Sequence, residues 1–154
     1  MLDLVFKNST DDSSFDEGFF NKILTIALGK LTLQDQQISL SINLVNESEI
    51  QELNKKYRGR DRVTDVLSFP MSENFLEAYQ LTSLPANSDL GDIFVCLSFA
   101  KNQAKSENIG IDRKLAQLAV HGFLHLLGYD HERSDQEAKT MFSFESEILN
   151  KISF

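Results

Sequence analysis

The sequence predicts one α+β domain over residues 1–154, with a mixed sheet of about four strands and helices packed on one side. Three observations lead to this fold class. Segments with strand patterning and segments with helix patterning alternate along the chain. Gln37–Val45 alternates strictly between apolar and polar residues, as a half-buried strand does. Asp112–Leu127 is apolar on nearly all sides, which is typical of a buried helix.

The first part of the chain predicts two strands and two helices. Leu2–Phe6 is a short apolar run, consistent with an edge strand. Phe15–Leu31 follows a polar, turn-like segment and carries apolar residues near helical spacing. Gln37–Val45 is the clearest strand, because its isoleucines and leucines all point one way. Ser48–Tyr57 predicts a helix, which either Asn46 or the first residue of the segment can cap.

The middle of the chain predicts two more strands. Val63–Phe69 is β-branched and aromatic, and Pro70 ends it. Leu90–Leu97 is apolar on both faces, as a central strand is. Met71–Asp89 has no clear period, and a connection of this length indicates either a lid or binding segment or a surface excursion. The connections do not identify βαβ crossovers, so a mixed sheet is the expectation.

The last part of the chain predicts three helices. Ser98–Asn108 is the first, and the nearly apolar Asp112–Leu127 is the second. The third opens at Ser134, where the sequence Ser-Asp-Gln-Glu matches a capping box, and it runs to about residue 150.

The composition excludes several classes of protein. With 42% hydrophobic and 25% charged residues the chain is not disordered throughout. A single Cys excludes an internal disulfide framework, a Cys-rich zinc module and an iron–sulfur cluster. The N-terminus shows no signal peptide, and no apolar stretch is long enough to span a bilayer. We therefore expect a soluble, cytoplasmic protein that does not contact a membrane.

The charge is acidic overall but locally basic. The net charge of -8 by itself argues against nucleic-acid binding and against an anionic membrane surface, and we expect no DNA partner. Five of the 15 basic residues nevertheless fall between Lys55 and Arg62. A local site for an anion is therefore compatible with the acidic total.

All three histidines of the chain lie within eleven residues, at positions 121, 125 and 131. His121 and His125 are four residues apart on the predicted buried helix, so they share one face. Gly128 falls where that helix would end, and the turn can bring His131 back toward the same face. Three imidazoles with a fourth tetrahedral position left open form the pattern of a catalytic zinc site. The sequence therefore predicts one metal ion per chain, most simply zinc, although imidazole also suits copper, nickel and iron.

The spacing of these histidines is that of the metzincin peptidases, with one difference. Those enzymes carry a Glu general base directly after the first His, whereas here Gly122 follows His121. A peptidase of that type would therefore lack its base. Gly122 indicates either close packing of the helix on a strand or space beside the metal for a bulky substrate, and the sequence does not choose between them.

Three segments together resemble one known family. His121–His131 reads H-G-x-x-H-L-x-G-Y-D-H and is similar to the signature of the YbeY family of bacterial rRNA-maturation endoribonucleases. Asn54–Pro70 resembles that family's Y-R-x-x-D-x-x-T-D-V-L-S-F-P stretch, with Val63 where many members have Pro. Leu90-Gly91-Asp92-Ile93 resembles its L-G-D-I strand. The segments occur in the family's order and span residues 54–131.

The resemblance implies a zincin-like fold in which one zinc ion is held by the three histidines. It implies a single metal-dependent hydrolase domain that cleaves single-stranded RNA in 16S rRNA 3′-end maturation and ribosome quality control. The implied partners are rRNA in the small ribosomal subunit, a small-subunit ribosomal protein and an assembly GTPase. The functional Arg of the family matches Arg58.

Arg58 also has a role that can be argued from chemistry. A guanidinium near the metal can bind a phosphoryl group at two points and stabilise the negative charge that develops on cleavage. The alternative is a solvated helix end, which is our interpretation of Lys55 and Lys56. The acidic residues of the motifs, Asp65, Asp92 and Asp130, receive no catalytic assignment, although Asp130 could orient a ligating imidazole.

Two other functions remain open from the sequence. The histidine spacing alone would fit a zinc metallopeptidase or a related hydrolase. The acidic net charge would fit a ribosome-assembly factor whose metal is structural, because a free-standing RNA-binding protein is usually basic.

Overall fold

The computed structural model describes residues 1–72, 84–132 and 134–154, and its elements follow the predicted order. The described strands are β1 (Leu2–Asn8), β2 (Ile38–Val45), β3 (Val66–Pro70) and β4 (Ser88–Cys96). The described helices are α1 (Glu17–Lys30), α2 (Glu47–Arg58), α3 (Leu97–Glu107), α4 (Ile111–Leu126) and α5 (Asp135–Leu149). The α+β fold class is confirmed.

Most element boundaries lie within two residues of the predicted ones, because local capping groups set them. Asp16, Asn46 and Ser134 each accept a hydrogen bond from the backbone N–H three residues later, and α1, α2 and α5 begin there. The main difference is β3, which begins at Val66 and not at residue 63. Most of the predicted 71–89 connection, residues 73–83, lies outside the described residues, and β4 already begins at its end.

The sheet is mixed, as predicted, with strand order β1-β2-β4-β3. β1, β2 and β4 run parallel, and β3 runs antiparallel to β4. The unit β1–α1–β2 is a crossover that the sequence did not identify. Among the described strands β3 lies at one edge of the sheet.

Two hydrophobic cores lie on the two faces of the sheet. The larger core joins α1, α3, α4 and α5 to one face, and β2 contributes to it the four residues of its apolar alternation: Ile38, Leu40, Ile42 and Leu44. The smaller core packs Ile50 of α2 against Val45, Leu67 and Cys96. The prediction that the helices cover one side is therefore wrong for α2. The reason is that β2 and β4 end in residues that are apolar on both faces, so the second face also needs a cover.

The helix α4 is buried, as its composition predicted. Ten of its 16 residues are buried, and it contacts β3, β4 and the other helices of the larger core. None of the described helices is long and apolar enough to cross a membrane.

Gly91 lies where the backbones of β3 and β4 approach each other closely. It pairs with Pro70 across the β3–β4 ladder and has φ +121°, a conformation that only glycine adopts readily. A Cβ at this position would lie 2.1 Å from the carbonyl oxygen of Phe69. The close approach of β3 to β4 therefore requires glycine.

We expect Gly91→Ala to lower the free energy of unfolding by about 2–5 kcal/mol, as the sum of backbone strain and overpacking. The matched control is Gly29→Ala in α1, where a Cβ would meet no atom within 4 Å. That change should raise stability by about 0.4–1 kcal/mol. Urea unfolding of both variants measures the difference, and equal stabilities would contradict this description of the β3–β4 contact.

Candidate metal centre and cleft

The end of α4 and the turn after it bring the three histidines together. The rings of His121 and His125 have centroids 4.6 Å apart, one helical turn from each other. Gly128 adopts φ +105° just after the helix, and the chain returns so that the ring of His131 lies 5.2 Å and 5.3 Å from the other two. One ring nitrogen from each residue lies within 4.8 Å of the others. The predicted convergence is confirmed.

The protonation of this group suits metal binding. Burial, with a contribution from the neighbouring imidazoles of His121 and His131, lowers the pKa of His125 to about 4. His125 is therefore neutral at physiological pH, the form in which imidazole offers a lone pair to a metal. Its Nε2 lies 3.0 Å from Nε2 of His121.

An unpaired nitrogen gives a second indication. Nδ1 of His131 is buried and has no hydrogen-bond partner among the described residues. A buried polar atom without a partner is costly, and a bound ion would remove that cost. The three-His group therefore fits a metal ion, by donor type and by this unsatisfied atom, and the identity of the metal is not decided by these contacts.

Glu145 of α5 is a member of the site that sequence reasoning missed. Its Oε1 lies 2.6 Å from Nδ1 of His121. A carboxylate that accepts the Nδ1 proton leaves the lone pair on Nε2, which faces His125, and fixes the ring orientation. The sequence contained one indication of this contact. Glu145 lies on the same face of α5 as the buried Met141 and Ile148, where an apolar residue would be ordinary.

The three acidic residues of the motifs differ in their positions. The Asp65 side chain accepts a hydrogen bond from the backbone N–H of Val66 at 2.7 Å, and Asp92 accepts one from Ser41 at 2.5 Å. Asp65 and Asp130 line the cleft described below, and Asp92 does not. The carboxylate of Glu145 lies within 3 Å of a histidine ring nitrogen, a contact that the sequence analysis did not predict.

Gly122 faces the sheet and not the histidines. A Cβ at this position would lie 2.9 Å from Cγ2 of Ile93 and 3.1 Å from Oγ of Ser68. Of the two interpretations left open by the sequence, the structure supports close packing of the helix on a strand. A glutamate at this position would collide with β4, so the peptidase general base has no room here.

Arg58 lies at the C-terminal end of α2, where Gly59 adopts φ +69° and ends the helix. Its guanidinium stacks over the ring of Phe69 at 5.4 Å, and Nη2 donates to the carbonyl oxygen of Ser68 at 2.5 Å. The hydroxyl of Ser68 in turn donates to the carbonyl oxygen of Gly122 on α4. Arg58 is thus linked to the histidine helix through one residue of β3.

A single open cleft of about 1480 Å³ contains all four predicted site residues. Its lining includes Arg58 and the three histidines, with β3 and α2 on one wall and α4 and α5 on the other. Among the described residues, five bases and four acids line it; these are Arg58, Arg60, Arg62, Arg113 and Lys114, with Asp65, Asp130, Glu132 and Glu145. The charges of these lining residues therefore nearly cancel before any metal binds, although the chain carries -8. A divalent ion would add positive charge to the cleft.

Comparison with known proteins gives one consistent result. The family model described as Endoribonuclease YbeY matches residues 5–153. A protein named Endoribonuclease YbeY from Staphylococcus saprophyticus is 43% identical over 130 residues, which is 84% of this chain and 82% of the relative. One of the same name from Clostridioides difficile is 38% identical over 154 residues, with 99% and 97% covered. The solution structure of TM1509 from Thermotoga maritima superposes with a TM-score of 0.62 at 27% identity, over 95% of this chain and 86% of that one.

We expect wild-type protein to bind one equivalent of metal and His121→Ala protein to lose most of it. Glu145→Gln should weaken metal affinity by about 10- to 100-fold, because the amide no longer fixes the ring and tautomer of His121. Elemental analysis and competition with a chelator give both values. The matched control is Glu147→Gln on the same helix, since Glu147 pairs with Lys30 and does not line the cleft. Full metal retention by His121→Ala would exclude the site as described.

Proposed function

The chain belongs to the endoribonuclease YbeY family, and from this premise we propose that it is a zinc-dependent endoribonuclease that cleaves single-stranded RNA. One observation carries the proposal beyond the family name. The three-His group, with its metal-ligand geometry, opens into the same cleft as a cluster of arginines. A metal site and guanidinium groups in one cleft can together stabilise the negative charge that develops in phosphodiester cleavage.

The biological role that we propose is maturation of the 3′ end of 16S rRNA and ribosome quality control, in the cytoplasm. The partners of this proposal are rRNA in the small ribosomal subunit, a small-subunit ribosomal protein and an assembly GTPase. The acidic net charge supports a requirement for such partners, because the bases of the cleft are few and free RNA would bind weakly.

The chain's own groups have distinct tasks in this chemistry. His121, His125 and His131 would hold the zinc ion, and Glu145 orients His121. When bound, the ion supplies Lewis acidity toward a phosphoryl oxygen and acidifies water to a pKa near 7. Arg58 has five N–H donors, of which one reaches Ser68, so others remain to bind the phosphoryl oxygens as negative charge develops.

The edge of β3 supports a nuclease over a peptidase. An extended peptide that adds to a sheet edge needs the free N–H and C=O groups of that edge. Here the Asp65 carboxylate accepts from the N–H of Val66, Arg58 donates to the carbonyl of Ser68, and Pro70 has no N–H. Charged side chains and proline are common means of blocking strand addition. Together with the lack of room for a base at position 122, this disfavours the metzincin-type alternative.

A cleavage panel distinguishes the three functions. Metal-replete wild-type protein should cut an unstructured RNA, should leave casein intact, and should lose activity with a chelator. Casein cleavage would favour the peptidase. A folded, metal-bound protein that cuts neither substrate would favour an assembly factor with a structural metal. RNA cleavage that survives complete metal removal would contradict the proposed zinc dependence.

Arg58→Ala should slow RNA cleavage by about 100- to 1000-fold, as loss of one transition-state donor does, with metal content and melting temperature unchanged. Arg58→Lys should restore only part of the rate, because an ammonium cannot make the planar two-point contact. The matched controls are Arg60→Ala and Arg62→Ala, which change the same charge in the same cleft and should lose far less. Equal losses in all three would indicate RNA affinity, and a wild-type rate for Arg58→Ala would remove Arg58 from the site.

A further inference from the structure

Two contacts, a His–Glu pair and a cation–π contact, define how α4 and the C-terminal part of the chain lie along the cleft. His121 contacts Glu145, and eight residues earlier on α4 Arg113 lies 5.7 Å from the ring of Phe154. The earlier residue of α4 thus contacts the later residue of the following segment, so the two segments run antiparallel. Phe142, which precedes Glu145 by about one turn, consequently lies toward the His125 end of the cleft.

A polar stripe runs along the face of α4 that lines the cleft. It consists of residues four apart in sequence, all partly exposed: Arg113, Gln117, His121 and His125. Positions four apart share a helix face, so these side chains form one row. At 1.5 Å per residue, Arg113 lies about 12 Å along the helix axis from His121. The histidine group takes up one end of this row. Arg113, at the other end, has no part in the proposed metal chemistry.

The opposite end of the cleft has an exposed aromatic ring. Phe142 is 56% exposed and lines the cleft on α5. A single exposed apolar side chain is ordinary, so its exposure alone indicates nothing. Its position is informative, because it shares the cleft with the histidine group and the arginines. On the facing wall, Tyr57 is 57% exposed and adjoins Arg58.

Cations and exposed aromatic rings that share one groove have the chemistry of single-strand nucleic-acid binding. Arginines bind the phosphates, and unpaired bases stack on aromatic faces. We propose that Arg113 and Phe142 bind RNA on either side of the metal site, Arg113 through a backbone phosphate and Phe142 by stacking on an unpaired base. The proposal rests on the proposed function and adds to it the course of the substrate. It also gives a physical reason for preferring single strands, because a paired base has no free face to offer.

The first test measures binding. A fluorescently labelled, unstructured RNA oligonucleotide with a hydrolysis-resistant backbone is titrated with the metal-replete full chain, and anisotropy gives Kd. Phe142→Leu, which keeps an apolar side chain but removes the ring, should weaken binding roughly five- to 100-fold, as lost base stacking does. Phe142→Tyr, which keeps the ring, should bind like the wild type. The same RNA annealed to its complement should show no difference between wild type and Phe142→Leu.

The second test concerns Arg113. The slope of log affinity against log salt concentration should fall in magnitude by about 0.7 in Arg113→Ala, the value for one phosphate contact on a single strand. Lys105→Ala is the matched control, since Lys105 is an exposed base on α3 that does not line the cleft, and it should leave the slope unchanged. Melting temperatures show that each variant is folded.

The possible results distinguish failure of these two RNA-binding roles from failure of the proposed function. If metal-replete wild type neither binds nor cleaves RNA, the proposed function fails. If wild type binds and cleaves RNA but Phe142→Leu matches it in affinity, the stacking role is overturned. If Arg113→Ala has the salt slope of Lys105→Ala, the phosphate contact is overturned. Equal losses in Phe142→Leu and Phe142→Tyr would also contradict stacking.

Discussion

The close packing of α4 on the edge of the sheet is the contact on which the site depends. Because Gly122 has no side chain, the helix backbone approaches Ile93 of β4 and Ser68 of β3. The face of α4 next to Gly122 turns His121 and His125 into the cleft, and the Ser68 hydroxyl binds the helix carbonyl of Gly122. The same strand residue accepts from Arg58 through its own carbonyl. One glycine contact thus fixes the distance between the metal helix and the arginine wall.

The distribution of charge reconciles an acidic protein with an anionic substrate. The chain carries -8, yet the part of the cleft that the structure describes is lined by five bases and four acids, and one of those acids, Glu145, contacts His121. A divalent ion in the three-His group would add positive charge to the cleft, while the chain as a whole stays acidic. Long-range electrostatics would then favour RNA binding at the cleft over non-specific binding elsewhere.

The two faces of the sheet have separate roles. The larger core holds α4 and α5 and so builds the histidine group and its supporting carboxylate. The smaller core anchors α2, whose C-terminal end carries Arg58 above Phe69. The active cleft lies where these two units meet along the edge strand β3. The metal site and the arginine site therefore come from different layers of the fold and from segments that are far apart in sequence.

Local patterning was enough to predict the elements and the three-His group. Capping residues such as Asp16 and Ser134 set helix starts, and the alternation in β2 set its buried face. A spacing of four residues and a glycine turn brought the histidines together. Each of these effects acts over only a few residues. Contacts between elements could not be predicted in this way. The crossover through α1, the cover of the second face by α2, the direction of Gly122 and the pairing of Glu145 with His121 all join segments distant in sequence. Which of several compatible faces pack together depends on the whole tertiary structure, and patterns over a few residues do not determine it.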